Sequence, residues 1–108
     1  MEHKDIIWDL TKKWNDEYKD LAVKITKQKG FKRLYRSSHE FIKFANEYFK
    51  IFQKKLATKE LNSLNHLFEQ MEDIISSKAA KYHIVEDFLF EFHDEFKKEF
   101  TNELELKQ

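Results

Sequence analysis

The sequence predicts an all-α protein that folds as an antiparallel four-helix bundle. Its 108 residues include no proline and a single glycine, whereas folds rich in β-turns need many of both. Apolar residues recur at spacings of three and four along four segments, as the buried face of a helix requires. The length suits one domain, residues 1–108, with one hydrophobic core.

The first predicted helix covers residues 5–29. Its apolar residues fall on one helical face and comprise Ile7, Leu10, Trp14, Tyr18, Leu21 and Ile25. Gly30 follows, and glycine adopts at little cost the left-handed conformation that closes a helix. We therefore expect the helix to end at Gly30, with residues 31–36 forming a short connecting turn of helix. The alternative is a helix that continues through Gly30.

The second predicted helix begins at the clearest start signal in the chain. Ser37 and Glu40 have the spacing of a capping box, in which the Ser37 hydroxyl accepts from the backbone N–H three residues on and Glu40 reaches back. The apolar residues that follow cover more than half of the helix circumference. Such a helix packs between two neighbours or keeps an apolar face for a partner. The apolar residues of this helix are Phe41, Ile42, Phe44, Ala45, Tyr48, Phe49, Ile51, Phe52 and Leu56.

The third and fourth predicted helices share a weak boundary. Thr58 is the expected N-cap of the third helix, which runs to about Ser76, and the fourth covers residues 79–104. The break between them rests on Ser76 and Ser77 alone. Because neither proline nor glycine marks it, the two segments could also form one continuous helix.

The charge is unevenly divided along the chain, although its net value is zero. Residues 1–59 carry 15 basic and 8 acidic side chains, and residues 60–108 carry 5 basic and 12 acidic ones. The net charges of the two halves are therefore +7 and −7. No acidic residue lies between Leu21 and His39. One interpretation is that the charges cancel within the fold, with Arg33 and Arg36 paired to Glu40, Glu47 or the acidic fourth helix.

The other interpretation is a site for an anion or a nucleic acid. The basic run ends beside the start of the second helix, where free backbone N–H groups and the helix dipole favour negative charge. Phe31 and Tyr35 lie within the run and could stack on unpaired bases. The candidate residues are Lys24, Lys27, Lys29, Lys32, Arg33, Arg36, Ser37 and His39.

Arg33 and His39, with five residues between them, also resemble the arginine–histidine signature of HEPN-type ribonucleases, which are small all-α domains. The resemblance implies that Arg33 and His39 would serve RNA cleavage across a dimer interface. Residues 38–45 are similar to the region of histidine phosphotransfer domains in which an exposed histidine precedes a lysine and a glycine. Here Lys43 comes one place late, and Phe44 replaces the small residue.

Little else in the chain indicates catalysis. His66 and Glu69, like His83 and Glu86, could share a helical face, but neither H-E-x-x-H nor the glutamate–histidine order of di-iron bundles occurs. The carboxylates of the fourth helix avoid its apolar face, and a glycine-rich phosphate loop is absent. We therefore expect surface histidines, no metal, no cofactor and no enzymatic activity.

The function predicted from the sequence is that of a small non-enzymatic binding protein, such as an inhibitor, adaptor or accessory subunit. It would dock on a protein partner through an aromatic helical face and a charged surface, with Phe49 and Phe90 as candidate contacts, and could form a homodimer. The alternative is an RNA- or DNA-binding module that uses residues 24–36. The start "MEHKD" and the short apolar runs predict a cytoplasmic protein without membrane contact.

Overall fold

The computed structural model describes residues 3–57 and 63–107, which form five α-helices and no strand. The all-α fold class is therefore confirmed. Four helices are long and one is short. They are α1 (His3–Thr26), α2 (Lys29–Leu34), α3 (His39–Ala57), α4 (Leu64–Tyr82) and α5 (Glu86–Lys107).

The four long helices form an antiparallel bundle. Helix α1 packs against α3 and α5, and α4 packs against the same two helices from the opposite side. The direction of α5 relative to α1 follows from two contacts, since Lys13 bonds to Glu103 and Gln28, just after α1, bonds to Glu91. The bundle measures 46 × 25 × 16 Å, so it is elongated along the helices.

The core is dominated by aromatic rings from α3 and α5 that meet across the bundle axis. Phe44 and Phe92 lie 5.9 Å apart between ring centroids, and Phe52 and Phe96 lie 5.0 Å apart, both edge to face. Such offset and edge-on pairs add to the free energy gained by burying apolar area. The six apolar residues predicted on one face of α1 are all buried.

Gly30 does not close α1, contrary to the prediction. Helix α1 ends at Thr26, and Gly30 is the second residue of α2, without a positive φ angle. The break falls at Gln28, whose extended backbone separates the two helices. It reorients the chain so that Phe31 enters the core, where the free energy of burying a large ring outweighs the lost helical hydrogen bonds.

The boundary between the last two helices also differs from the prediction. Ser76 and Ser77 lie inside α4, and the Ser77 hydroxyl donates to the Ile74 carbonyl, which satisfies the serine within the helix. The chain turns instead at His83, whose φ of 54° is left-handed. Helix α4 starts after Ser63, whose hydroxyl accepts from the His66 N–H, whereas the predicted N-cap Thr58 lies outside the described residues.

Across the described segments, none of the helices combines the length and the apolar character needed to cross a membrane.

Candidate anion-binding surface

Helix α2 lies across one end of the bundle and closes its core. Phe31 is buried, with ring centroids 5.4 Å from Phe41 and 5.2 Å from Phe88. Tyr35, at the end of α2, is half-buried, and its hydroxyl accepts from the Val85 N–H at 2.7 Å. These contacts fix which side of α2 faces the core and leave its other side in solvent.

Six basic side chains lie on the stretch from the last turns of α1 to the start of α3 and together form what we call the basic surface. All six are exposed, and within the described part of the chain none forms an ion pair or a side-chain hydrogen bond. On the α2 helix, Lys29 and Arg33 project about opposite to Phe31, given 100° of rotation per residue. The basic surface comprises Lys24, Lys27, Lys29, Lys32, Arg33 and Arg36.

Three of the acidic residues considered as partners for this segment are engaged elsewhere. Glu40 pairs with Lys43 at 3.6 Å, and Glu47 pairs with Lys78 at 2.6 Å. On α5, the Glu91 carboxylate accepts from the Gln28 amide. Among the described residues, no acidic side chain lies within ion-pair distance of the basic surface, although Lys24 lines a surface pocket together with acidic residues of α1 and α5.

The start of α3 lies next to the basic surface but lacks the predicted capping box. The His39 N–H, not that of Glu40, donates to the Ser37 hydroxyl at 3.1 Å, and the Glu40 carboxylate turns to Lys43. The Ser38 carbonyl accepts the first helical bond, from the Ile42 N–H at 3.0 Å. Ser37 thus orders the turn into α3, whose positive dipole end adds to the local potential.

Arg33 and His39, the pair that resembles the HEPN signature, lie on different helices. Arg33 belongs to the last turn of α2, and His39 is the first residue of α3. Both side chains are exposed, and no hydrogen bond joins them within the described residues. The proposed catalytic role of this pair stays a prediction.

The aromatic face predicted for partner docking is largely interior. Phe49 is 1% exposed and stacks on Tyr18 of α1 at 4.9 Å between ring centroids, so it lies in the core and not on a surface. Phe90 is half-buried at the edge of α5, with its ring 6.3 Å from that of His93. The broad apolar face of α3 is covered because α1, α4 and α5 all contribute rings against it.

Leu34 and Val85 are exposed aliphatic residues close to the basic surface. Leu34 in α2 is 61% exposed, and Val85 before α5 is 47% exposed. Both belong to the closed end of the bundle, since the Val85 N–H donates to Tyr35, the residue after Leu34.

A second group of polar residues, which the sequence analysis missed, lies inside the bundle. His93 on α5 is fully buried, and its Nδ1 lies 2.6 Å from the Tyr48 hydroxyl of α3. Its Nε2 lies 3.5 Å from the Glu72 carboxylate of α4 and has no hydrogen-bond partner among the described residues. We call Tyr48, His93 and Glu72 the buried cluster.

The environment shifts the titration of two members of the buried cluster. Burial lowers the pKa of His93, although the negative charges of Asp94 and Glu72 oppose the shift. Burial also raises the pKa of Tyr48 well above its usual range. At neutral pH both groups are therefore uncharged, and the cluster is held by the hydrogen bond between them.

The expectation that the histidines lie on the surface is wrong for His93, although His39, His66 and His83 are exposed. A signal was present, because His93 follows the buried Leu89 by four residues and precedes the buried Phe96 by three. That spacing is the spacing of the apolar face itself.

No group of three or more histidine, aspartate or glutamate side chains in the described ranges is arranged to hold a metal ion. No protein-family model matches the chain, and no curated protein or solved structure shows significant similarity to it.

Proposed function

We propose that the protein is a non-enzymatic binding protein that docks on the phosphate backbone of a nucleic acid through the basic surface. The observation that supports this proposal is the set of six exposed basic side chains, on residues 24–36, that form no ion pair with a described acidic side chain. Phosphates bind such side chains and release condensed counterions as they do so.

The mode of binding would be recognition of the backbone and not of bases. Phe31, a candidate for base stacking, is buried beneath α2, and the Tyr35 hydroxyl is bonded to the Val85 N–H. Neither ring is presented as a stacking platform of the kind that single-strand binding proteins use. Lysine and arginine contacts to phosphates fix position without reading sequence, so we expect little sequence preference.

A protein partner with an acidic surface is the second candidate, and it rests on Leu34 and Val85. Exposed aliphatic side chains beside basic ones suit a partner that offers both carboxylates and an apolar contact. The two candidates differ in salt dependence. Binding to phosphates weakens steeply as salt rises, whereas an interface with an apolar centre resists salt.

The first experiment measures binding of the purified protein to mixed-sequence single- and double-stranded RNA and DNA between 50 and 200 mM salt. With six phosphate contacts on duplex DNA, the logarithm of the binding constant should fall with the logarithm of the salt concentration at a slope of about −5. The Arg33→Glu/Arg36→Glu variant should bind at least about tenfold more weakly, and its slope should be less steep by about 2 because two phosphate contacts are lost.

A matched control is Lys98→Glu/Lys107→Glu, which changes the net charge equally but at exposed positions toward the far end of α5. If both variants weaken binding to the same extent, the effect is one of net charge and the proposed surface is wrong. Absence of binding at 50 mM salt would likewise overturn the nucleic-acid proposal and favour an acidic protein partner. Leu34→Ser would then be the variant expected to weaken that interface.

The same RNA samples test the ribonuclease prediction. A binding protein leaves the RNA intact after prolonged incubation. Cleavage that disappears in His39→Ala, with the helical circular dichroism unchanged, would instead make the protein an enzyme and support the resemblance carried by Arg33 and His39.

A further inference from the structure

The buried cluster joins three helices at a single titratable residue. His93 lies on α5, its ring is 6.0 Å from that of Phe68 on α4, and its Nδ1 is bonded to Tyr48 on α3. Glu72, also on α4, faces its Nε2 from the rim of the bundle, with 48% of the glutamate side chain exposed. The contact of α4 with the rest of the core at this level therefore includes a histidine that water does not reach.

The neutral form of His93 fits this site. With the proton on Nε2, which faces the Glu72 carboxylate, Nδ1 accepts from the Tyr48 hydroxyl, and the buried Tyr48 is satisfied. A tautomer is thus selected by its neighbours, as is usual for interior histidines.

The protonated form does not fit. Nδ1–H would have to donate to the Tyr48 oxygen, and the hydroxyl hydrogen of Tyr48 would then lose its acceptor in a dry environment. The charge itself would lie among aromatic rings. The Glu72 side chain is half exposed to water, and the effects of the Asp94 and Lys97 charges on the His93 ring have opposite signs. The cost of burying the imidazolium charge is therefore only partly compensated.

The C-terminal part of α4 is held by a different and acid-resistant set of contacts. Glu47 on α3 accepts from Lys78, Lys81 and the Tyr82 hydroxyl. Hydrogen bonds from Lys78 and Tyr82 lower the pKa of Glu47 to about 2. These contacts therefore persist in mild acid, under conditions in which a histidine becomes charged.

We propose that the buried cluster makes α4 an acid-responsive element, in which protonation of His93 releases residues 64–75 from α3 and α5 while residues 78–82 stay anchored by Glu47. The released part carries Leu67, Phe68 and Met71, which are buried in the closed form. Release therefore exposes apolar surface at a defined place on the bundle.

Hydrogen exchange of the intact protein at pH 7.5 and pH 5.0 tests the proposal, with protection factors corrected for intrinsic rates. As the pH falls from 7.5 to 5.0, the population of an open form whose histidine titrates near 6.5 rises about 30-fold relative to a closed form whose histidine stays neutral. Protection in residues 66–75 should fall by up to this factor. Protection in residues 78–82 and in α1 should change less than about threefold, because these segments stay closed when His93 is protonated.

The His93→Gln variant, whose side chain keeps hydrogen-bonding groups but does not titrate, should abolish the pH dependence of residues 66–75. His66→Gln, which removes an exposed histidine from α4 itself, should leave the pH dependence of residues 66–75 intact. NMR titration of the wild-type ring keeps the test independent of any variant. A uniform loss of protection along the chain, no loss at pH 5.0, or a His93 pKa at or above 6.5 would each overturn the proposal.

Discussion

Gly30 occupies an ordinary helical position, and this leads to a prediction about stability. It has no positive φ angle, and a Cβ added there would meet the Phe88 ring at 3.8 Å, which is a normal contact distance. Gly30→Ala should therefore stabilise the protein by about 0.4–1 kcal/mol, chiefly by restricting the unfolded chain. Urea unfolding would measure the change.

Nucleic-acid binding by Gly30→Ala should equal that of the wild type if α2 only displays the basic side chains. A lower unfolding midpoint would contradict the prediction and would mean that Phe88 cannot accommodate the added methyl group. The position of Gly30 was misread from sequence because glycine after a helix is normally its terminator, whereas here burial of Phe31 decides where the chain turns.

His93 and Phe49 illustrate what periodicity can and cannot predict for single residues. The pattern places both on faces that are otherwise apolar. It does not reveal whether another helix covers a face, and the sequence alone therefore left Phe49 open as a partner contact. For His93, the type of residue suggested the surface, whereas its spacing matched the core, and the structure shows that the spacing was the better guide.

At the level of helices, the existence of all four long segments was predictable, but the end of α1 and the boundary between α4 and α5 were not. The turn between α4 and α5 is made by His83 in a left-handed conformation, which histidine adopts more readily than most residues but far less often than glycine. The sequence predicted only a weak break, at Ser76 and Ser77. Ser77 instead donates within α4, and this satisfies it without ending the helix.

Glu47 links α3 to α4, and its removal should weaken that link. We expect Glu47→Gln to lower the free energy of unfolding at pH 7 by about 1–2 kcal/mol, because Lys78, Lys81 and Tyr82 lose a charged acceptor near the protein surface. Urea unfolding of both proteins between pH 7 and pH 3 provides the measurement.

The sign of the pH effect follows from the lowered pKa of Glu47. Its contribution is fully present above the ordinary value of 4.5 and is lost as the pH falls through about 2. The difference between wild type and Glu47→Gln should therefore shrink below pH 4.5. Glu40→Gln is the control, since Glu40 pairs with the exposed Lys43 and should change stability by less than about 0.5 kcal/mol. A constant difference from pH 7 to pH 3 would contradict this account.

For the molecule as a whole, the two polar sites differ in how visible they are in the sequence. The basic surface is built from one continuous stretch, residues 24–36, so a run without acidic residues was enough to locate it. The buried cluster joins Tyr48 to His93 across 45 residues and three helices. Such a site depends on the packing of the bundle, and no local pattern records it.

Phe96 lies where all four long helices meet, and it offers a test of whether the bundle unfolds as a unit. Its ring is 5.1 Å from Trp14 on α1, 5.0 Å from Phe52 on α3 and 6.0 Å from Phe68 on α4, measured between centroids. Phe96→Ala should lower the free energy of unfolding by about 3–5 kcal/mol, since truncating a buried ring leaves a cavity that helices can only partly fill.

A loss of this size is a large fraction of the roughly 5–15 kcal/mol that stabilises a typical domain. At pH 7.5, far-ultraviolet and near-ultraviolet circular dichroism should follow the same urea transition in both proteins, displaced to lower urea in Phe96→Ala. Phe90→Ala, at the half-buried edge of α5, should shift the midpoint much less. If the near-ultraviolet signal of the core were lost before the helices unfold, contacts other than those of Phe96 would be holding the helices together.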